Sequence, residues 1–584
     1  MLKRLWRHVS LRRRKQLVML LLLLLLASLS EVVSLGAVLP FLGVLVAPEK
    51  VFASPLAQPI ISALEITEPK QLMLPISVIF ALMALLSGGL RMLLLWAQTR
   101  LGYAIGMDLS FEIYRRTLYQ PYSCHIERNS SEIIAGISTK VSQVVYHTIL
   151  PFLMLISSVL MMIVVFGTLL SINATIALIS FIGFGVMYAI IVQFVKKRLL
   201  NNSQCINRET NKVYKALQEG LGGIRDILID GMQEVFIQVY RNADQPLRRA
   251  QASNHVIGSS PRLVLEALGM VMIVGIAYMF SIEGDGIAEA IPILGVLVLG
   301  AQRLLPLLQQ GYAAWSQMRG MHESLNDSVA LLEQPIPNHV HASPSEPMPF
   351  SNSIAVRSMS FRYRPDLPWV VQGLNLDIFK GDRIGFIGTT GSGKSTLLDI
   401  FMGLLIPTEG QLYIDDIPIS ENNYRAWQAN VAHVPQTIFL ADASITENIA
   451  FGVPKERIDH ARVRHVARQA QIAETIEEWD EQYGTLVGER GVRLSGGQRQ
   501  RIGIARALYK QANVIVFDEA TSALDNETER SVMNAINNIE RDITILIVAH
   551  RLTTLQVCDR VVVLGKKGII ERIGSYKDIV SKSV

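Results

Sequence analysis

The chain has 584 residues, 50% of them hydrophobic and 18% charged, with a mean hydropathy of +0.31. A soluble protein of this size is nearer a quarter charged, so the apolar excess belongs where water is absent. That excludes a disordered chain, a collagen-like fibre and a purely soluble enzyme. The formal charge of +5 is mild and points to no nucleic-acid partner, but it is unevenly placed. The first fifteen residues hold Lys3, Arg4, Arg7, Arg12, Arg13, Arg14 and Lys15 and no acid. Cys124, Cys205 and Cys558 are odd in number and far apart, which fits reduced thiols and neither a disulfide framework nor a metal site.

A bilayer core needs about 20 apolar residues in helical form. Segments near 16–46, 72–97, 147–171, 174–195, 261–281 and 287–308 meet or approach that length. The first is too long for the apolar part of a secretory signal and reads as an uncleaved membrane helix. Basic residues concentrate in the N-terminus, the 98–146 loop and the 196–260 loop, which by the positive-inside bias puts both termini in the cytoplasm. The two long inner loops read as helical extensions of the spans. The 47–71 loop mixes apolar with polar residues and reads either as a short amphipathic helix on the outer membrane surface or as an ordered loop. Residues 334–350 carry Pro335, Pro337, Pro344, Pro347 and Pro349, a linker signature. Short β-rich runs then alternate with helical patterns over 351–584, an α/β domain. The division is therefore 1–333, a membrane domain of six helices; 334–350, a linker; and 351–584.

Gly388-Thr389-Thr390-Gly391-Ser392-Gly393-Lys394-Ser395 fits the phosphate-loop pattern G-x-x-x-x-G-K-[ST] in full. It follows an apolar strand, Ile384–Ile387, and opens a predicted helix over Thr396–Gly403. Backbone N–H groups wrap phosphate oxygens in such a loop, with the helix N-terminus adding its dipole. Lys394 is placed for the β- and γ-phosphates and Ser395 for Mg²⁺. Val514-Ile515-Val516-Phe517-Asp518-Glu519 reads as a buried strand delivering Asp518 to its carboxyl end. Asp518 would hold Mg²⁺ directly or through water, and Glu519 would act as general base for the attacking water. Leu494-Ser495-Gly496-Gly497-Gln498 precedes another helix and presents small residues and free N–H groups to a phosphate.

Between those two motifs, this pentapeptide resembles the signature of the ATP-binding cassette (ABC) family. The resemblance extends over the whole chain and implies further roles. Tyr363 is positioned like the aromatic that stacks on adenine. Gln436 resembles the glutamine that links nucleotide, and its metal, to the membrane domain. Thr396 follows the phosphate loop as in the family's nucleotide-binding set. Ser522-Ala523-Leu524-Asp525 resembles the loop crossing the dimer interface, and His550 matches the histidine that contacts the γ-phosphate. Gly488-Glu489-Arg490-Gly491 looks like the exporters' element that touches the inner loops, and Gln218–Arg225 is similar to the segment at a coupling helix. The implied fold is a multidomain membrane protein, with a six-helix transmembrane bundle of ABC exporter type followed by an α/β P-loop nucleotide-binding domain. ATP and Mg²⁺ are the implied cofactors. Glu519, His550 and the signature are intact, so one polypeptide type suffices for two competent sites. One cassette and six spans make half a transporter, which implies a homodimer.

Six spans with the cassette last look like an exporter of the multidrug and lipid type. No leader-peptidase-like domain precedes the first span, which counts against peptide export. A narrower likeness runs through Glu31…Leu39-Pro40-Phe41, Pro121…His125 with Asn129-Ser130-Ser131-Glu132, and Pro261-Arg262, which resemble the lipid-linked oligosaccharide flippases of bacterial protein glycosylation. Arg91, Arg262 and Arg303 interrupt apolar segments, at a cost of about 2.5–3.5 kcal/mol each at a span's centre. Facing a cavity, they suit a pyrophosphate headgroup. At the cytoplasmic ends of their segments they would instead snorkel to lipid phosphates or pair with Glu31 or Glu266. The expectation is an ATP-driven exporter in a bacterial inner (plasma) membrane, ATPase domain cytoplasmic, moving a polyprenyl-pyrophosphate-linked oligosaccharide or related anionic glycolipid. A multidrug or phospholipid exporter is the alternative within the class, and an ATP-gated channel or regulator the alternative outside it.

Overall fold

The computed structural model describes residues 2–46, 48–54, 58–63, 66–128, 133–134, 136–172, 174–282, 287–337, 346–519, 526–549 and 551–580; at 276–282, 287–303 and scattered other helical positions it describes the backbone alone. The chain divides into two compact units. One is Met1–Gln120 with Arg128–Ile336; the other is Pro337–Val584 with the short segment Pro121–Glu127.

The first unit is helical throughout its described residues. The apolar run 16–46, read from sequence as one span, is two helices, Leu11–Gly36 and Val38–Val46. Gly36 is a poor helix former, and Pro40 lacks an N–H and is tolerated only in a first turn, so the break falls between them. Met73–Leu118 is a single helix of 46 residues, about 70 Å at 1.5 Å per residue. That exceeds the roughly 30 Å of a bilayer core, so its second half continues beyond the apolar layer. Ala174–Gly222 and Gln233–Ile282, of 49 and 50 residues, do the same, which makes the basic 196–260 segment two helical extensions. Gly222 and Gly223 interrupt them before the short helix Ile224–Ile229. Leu11–Ser34, Pro69–Leu118 and Gly136–Thr168 are each long and apolar enough to cross a membrane. The other three apolar runs lie in Ala174–Gly222, Gln233–Ile282 and Ile287–Gly320.

Leu11–Gly36 packs on Met73–Leu118, Leu150–Ile172 on Ile287–Gly320, and Ala174–Gly222 on Gln233–Ile282. Leu20, Leu24, Ala27, Leu94, Leu101 and Ile105 form the buried seam of the first pair. Leu22, Leu26, Leu85 and Met92 of the same helices point outward and exposed, as lipid-facing positions must. In the 47–71 loop the described residues form helices Pro48–Phe52 and Gln58–Ala63. Val51, Phe52 and Ile61 fold inward against Val44, Ile66, Leu72 and Ile76, so this loop spends apolar residues on a small core of its own.

The second unit holds two sheets. In the first, β1 (Ser353–Phe361), β2 (Val371–Phe379), β4 (Glu409–Ile414) and β5 (Ile417–Pro418) pair antiparallel in the order β2-β1-β4-β5. In the second, β3 (Arg383–Gly388), β6 (Val431–Val434), β7 (Val514–Asp518), β8 (Thr544–Val548), β9 (Arg560–Leu564) and β10 (Ile570–Gly574) run in the order β10-β9-β3-β8-β7-β6. All its pairings are parallel except β9 with the edge strand β10. Both faces are covered, as a parallel sheet requires. Ile384, Phe386, Val514, Val516, Leu546 and Val548 face one core. Ile515, Phe517, Ile545 and Ile547 face the other. Met348 and Phe350 are already buried in the first of these cores, while Gln334 is buried at the end of the other unit.

Candidate active site

β3 and β7 flank β8, with Phe386 and Asp518 both registered on Val548. Their carboxyl ends, which carry the phosphate loop and the Asp518–Glu519 pair, therefore lie one strand apart. From β3 the chain turns through 389–393 into the helix Lys394–Phe401, which starts two residues earlier than predicted. The start is set by Gly393, whose φ of 89° is left-handed and whose missing Cβ leaves room for the Val370 carbonyl, 2.8 Å from where that atom would be. Thr389, Thr390, Gly391 and Ser395 line the exposed rim of the loop. Lys394 is buried and folds back over it, donating from Nζ to Gly388 O at 2.9 Å and Thr389 O at 3.1 Å. Ser392, 1% exposed, keeps its hydroxyl without a hydrogen-bond partner among the described residues. A buried orphan hydroxyl beside a lysine resting on carbonyls is a cradle fit for phosphate oxygens.

Tyr363 follows β1 with its ring partly exposed, packed edge-on against Phe361, and its hydroxyl 3.0 Å from Thr396 Oγ1. Gln436 follows β6 and donates from Nε2 to Glu519 Oε2 at 2.9 Å. Glu519 N–H is held by Val548 O at 3.0 Å, and its backbone is left-handed at φ 50°. A non-glycine residue in that region carries strain, which here aims the carboxylate out of the strand's line. Ser495 caps the helix Gly496–Tyr509: its hydroxyl accepts from Gln498 N–H while Gln498 Oε1 accepts from Ser495 N–H. Ser495 and Gly496 are exposed; Gly497 is buried beneath them. Glu489–Gly491 forms a tight turn just before. His550 and the loop 522–525 lie outside the described residues.

Sequence reasoning passed over Asp399. It lies on the phosphate-loop helix, and burial, then the charge of Asp518, pushes its carboxyl up to about 6. The signal was there: one acid on an otherwise apolar helix face, a little over one turn beyond Lys394. Tyr122, on the short helix Tyr122–Glu127 of the same unit, has its phenol pushed up by burial first, then by Asp399 and Tyr363.

In the membrane unit Arg91 Nε lies 3.5 Å from Glu31 Oε2, and Ser87 donates to the same oxygen at 2.8 Å. Arg262 pairs with Glu266 one turn on at 2.8 Å. Of the three arginines, these two carry an acid neighbour, so neither presents a bare positive charge. Arg303 lies in the helix Ile287–Gly320, and its side chain is outside the described residues.

Residues 371–522 match the ABC transporter family and residues 17–283 its transmembrane region. The chain is 31% identical to an ATP-dependent lipid A-core flippase of Chromohalobacter salexigens over 406 residues, 68% of each chain. It is 27% identical to an ATP-dependent lipid A-core flippase of Alkalilimnicola ehrlichii over 485 residues, 82% of this chain and 80% of that one. A solved bacterial Atm1-family ABC exporter with ATP bound shares the fold at a TM-score of 0.79 and 21% identity, over 98% of this chain and 96% of that one. Motor loop, signature and membrane helices thus come together in one chain, which belongs to the ABC exporters as an integral-membrane half-transporter that binds ATP and couples its hydrolysis to transport.

Proposed function

We propose that the cargo is a polyprenyl-pyrophosphate-linked oligosaccharide or a related anionic glycolipid, moved by a homodimer in a bacterial inner membrane with both termini and the cassettes in the cytoplasm. The cargo reading is supported by the likeness to two lipid A-core flippases, which spans membrane and motor regions alike. Arg91, Arg262 and Arg303 are the candidate headgroup contacts. Arg91 is engaged by the buried Glu31, which neutralises it and makes it by itself a poor phosphate contact.

One observation supports the homodimer above others. The phosphate-loop helix packs through Leu397, Leu398, Ile400 and Phe401 into the core on one face of the six-stranded sheet. The signature helix packs through Ile502, Ile504 and Ala505 into the core on the opposite face. A single chain thus holds its two phosphate-binding motifs on opposite sides of a sheet, and a second copy supplies the missing half of each site.

For Mg²⁺ the donor set is suitable: the Ser395 hydroxyl, the Asp518 carboxylate and the Gln436 carboxamide offer hard oxygen ligands. Held there, the ion would neutralise phosphate charge. Lys394 would exchange its loop carbonyls for phosphate oxygens, keeping its charge where the leaving group develops its own. Glu519 takes the proton of the attacking water, and Gln436 fixes one carboxylate oxygen so that the other faces that water. His550 is the candidate second contact to the γ-phosphate. Affinity for ATP that is higher in the closed pair than in the open one supplies the drive.

Reconstitution in liposomes with a fluorescent undecaprenyl-pyrophosphate-linked oligosaccharide tests this reading. ATP-dependent change in glycan accessibility is expected, falling about a hundredfold or more in Glu519→Gln. Rapid movement of hydrophobic dyes with no movement of the glycolipid would instead support the multidrug reading, and ion conductance without turnover a channel.

A further inference from the structure

Inside the membrane unit lies a cavity of about 340 Å³, walled by four helices: Leu11–Gly36, Met73–Leu118, Leu150–Ile172 and Ile287–Gly320. Its polar lining is Glu31, Arg91, Gln98, Ser157 and Gln310. Apolar runs in a bilayer have no reason to converge a carboxylate, a guanidinium, two carboxamides and a hydroxyl on one space unless that space holds something polar.

The charges there cancel. Glu31, 2% exposed, is held by Ser87 and by Arg91. A neutral pair does not attract a phosphate, whose two or more negative charges would need unpaired cations. The remaining groups favour hydroxyls. Ser158 donates to Gln310 Oε1 at 3.1 Å, which engages that amide's acceptor and orients its N–H donors. Gln98, 6% exposed, brings a second carboxamide. Carboxylates and carboxamides each meet adjacent hydroxyls with two hydrogen bonds. Leu94 and Met161 in the same wall offer an apolar surface for the C–H face of a ring. The size is at the small end of ligand pockets, about 300–1,000 Å³, fit for a sugar unit and too small for a prenyl chain as well.

We propose that this cavity is a glycosyl-binding subsite, which takes a neutral sugar residue of the cargo while its phosphates and lipid lie elsewhere. The proposal rests on the glycolipid reading above and adds what part of the cargo is read.

The test uses the full chain in phosphatidylethanolamine–phosphatidylglycerol nanodiscs. ATPase stimulation is titrated with undecaprenyl-pyrophosphate-linked disaccharide and, separately, with bare undecaprenyl pyrophosphate. The wild type should respond to the glycosylated lipid at a tenfold or lower half-stimulating concentration. Gln98→Leu removes a polar group from one wall and Met161→Trp fills the cavity from another; in each, the ratio between the two lipids should fall to near one. Because the ratio is read within one variant, a merely destabilised protein would not produce it. An unchanged ratio in both variants overturns the subsite and leaves the glycolipid exporter standing. A wild type equally stimulated by both lipids also overturns it. A wild type stimulated by neither overturns the subsite together with the cargo reading on which it rests.

Discussion

Asp399 lies in an environment that its neighbours in sequence do not announce. Its carboxyl is pushed up from 3.8 to about 6 by burial and by Asp518. Below the ordinary value it is protonated whether the chain is folded or not. Between the two values the folded state holds a proton that the unfolded chain has released. Stability from this group is therefore lost as pH rises toward and through about 6, where a buried carboxylate faces another. Asp399→Asn removes that penalty. The nucleotide-free variant should melt above wild type at about pH 8, and the gap should narrow by about pH 5 and close only below about pH 4. A melting difference independent of pH would show that Asp399 acts through shape and not charge. Glu519 shows the complementary strategy, since its strain lies in the backbone: a left-handed φ of 50° that sets the carboxylate against Gln436.

Among the elements, the phosphate-loop helix is closed at both ends by glycines. Gly403 sits at φ 67° just past Met402, and its N–H reaches Ile400 O while Leu404 N–H reaches Asp399 O at 2.8 Å. These two hydrogen bonds satisfy two of the helix's last carbonyls. Gly403→Ala forces an L side chain into the left-handed region, at about 1–2 kcal/mol. In a domain of this size the cassette's melting transition should fall by a few degrees. An unchanged transition would mean that the helix end carries no such load. Such ends explain what was legible beforehand. β3 extends the expected Ile384–Ile387 by one residue at each end, and β7 spans Val514–Asp518 as expected, because buried parallel strands read as unbroken apolar runs. The break at Ala37 was not legible, since Leu39, Phe41 and Leu42 keep the run apolar on both sides of it. Nor was the inward fold of Val51, Phe52 and Ile61, because their partners Val44 and Ile76 belong to the flanking membrane helices and only tertiary structure brings them near. The pairing of an arginine with Glu31 is among the alternatives the sequence offers; that it is Arg91 was not legible, because the contact joins residues on two helices.

For the molecule as a whole, the alternation of side chains through the six-stranded sheet matters most. It sends the phosphate-loop helix to one face and the signature helix to the other. If each nucleotide is held by the loop of one copy and the signature of its mate, then Lys394→Ala and Ser495→Arg each abolish both sites when present in both copies. Mixed in one preparation, the two variants should regain turnover, because a pair with one of each has one site wholly intact. Failure of the mixture to exceed either variant alone, with cross-linking confirming mixed pairs, would count against shared sites. The site motifs were legible without the structure because phosphate recognition is written in short contiguous strings; their segregation to opposite faces was not, because it follows from the strand order β9-β3-β8-β7-β6.

The same segregation has a genetic reading. If two copies pair as proposed, a cell bearing a sound and a damaged gene for this chain would dilute its healthy machines with hybrid ones, so injury at either motif would be felt beyond its own product. Two differently injured alleles, each harmless to the other's intact face, would rescue one another, and the pattern of rescue would map which face each lesion occupies.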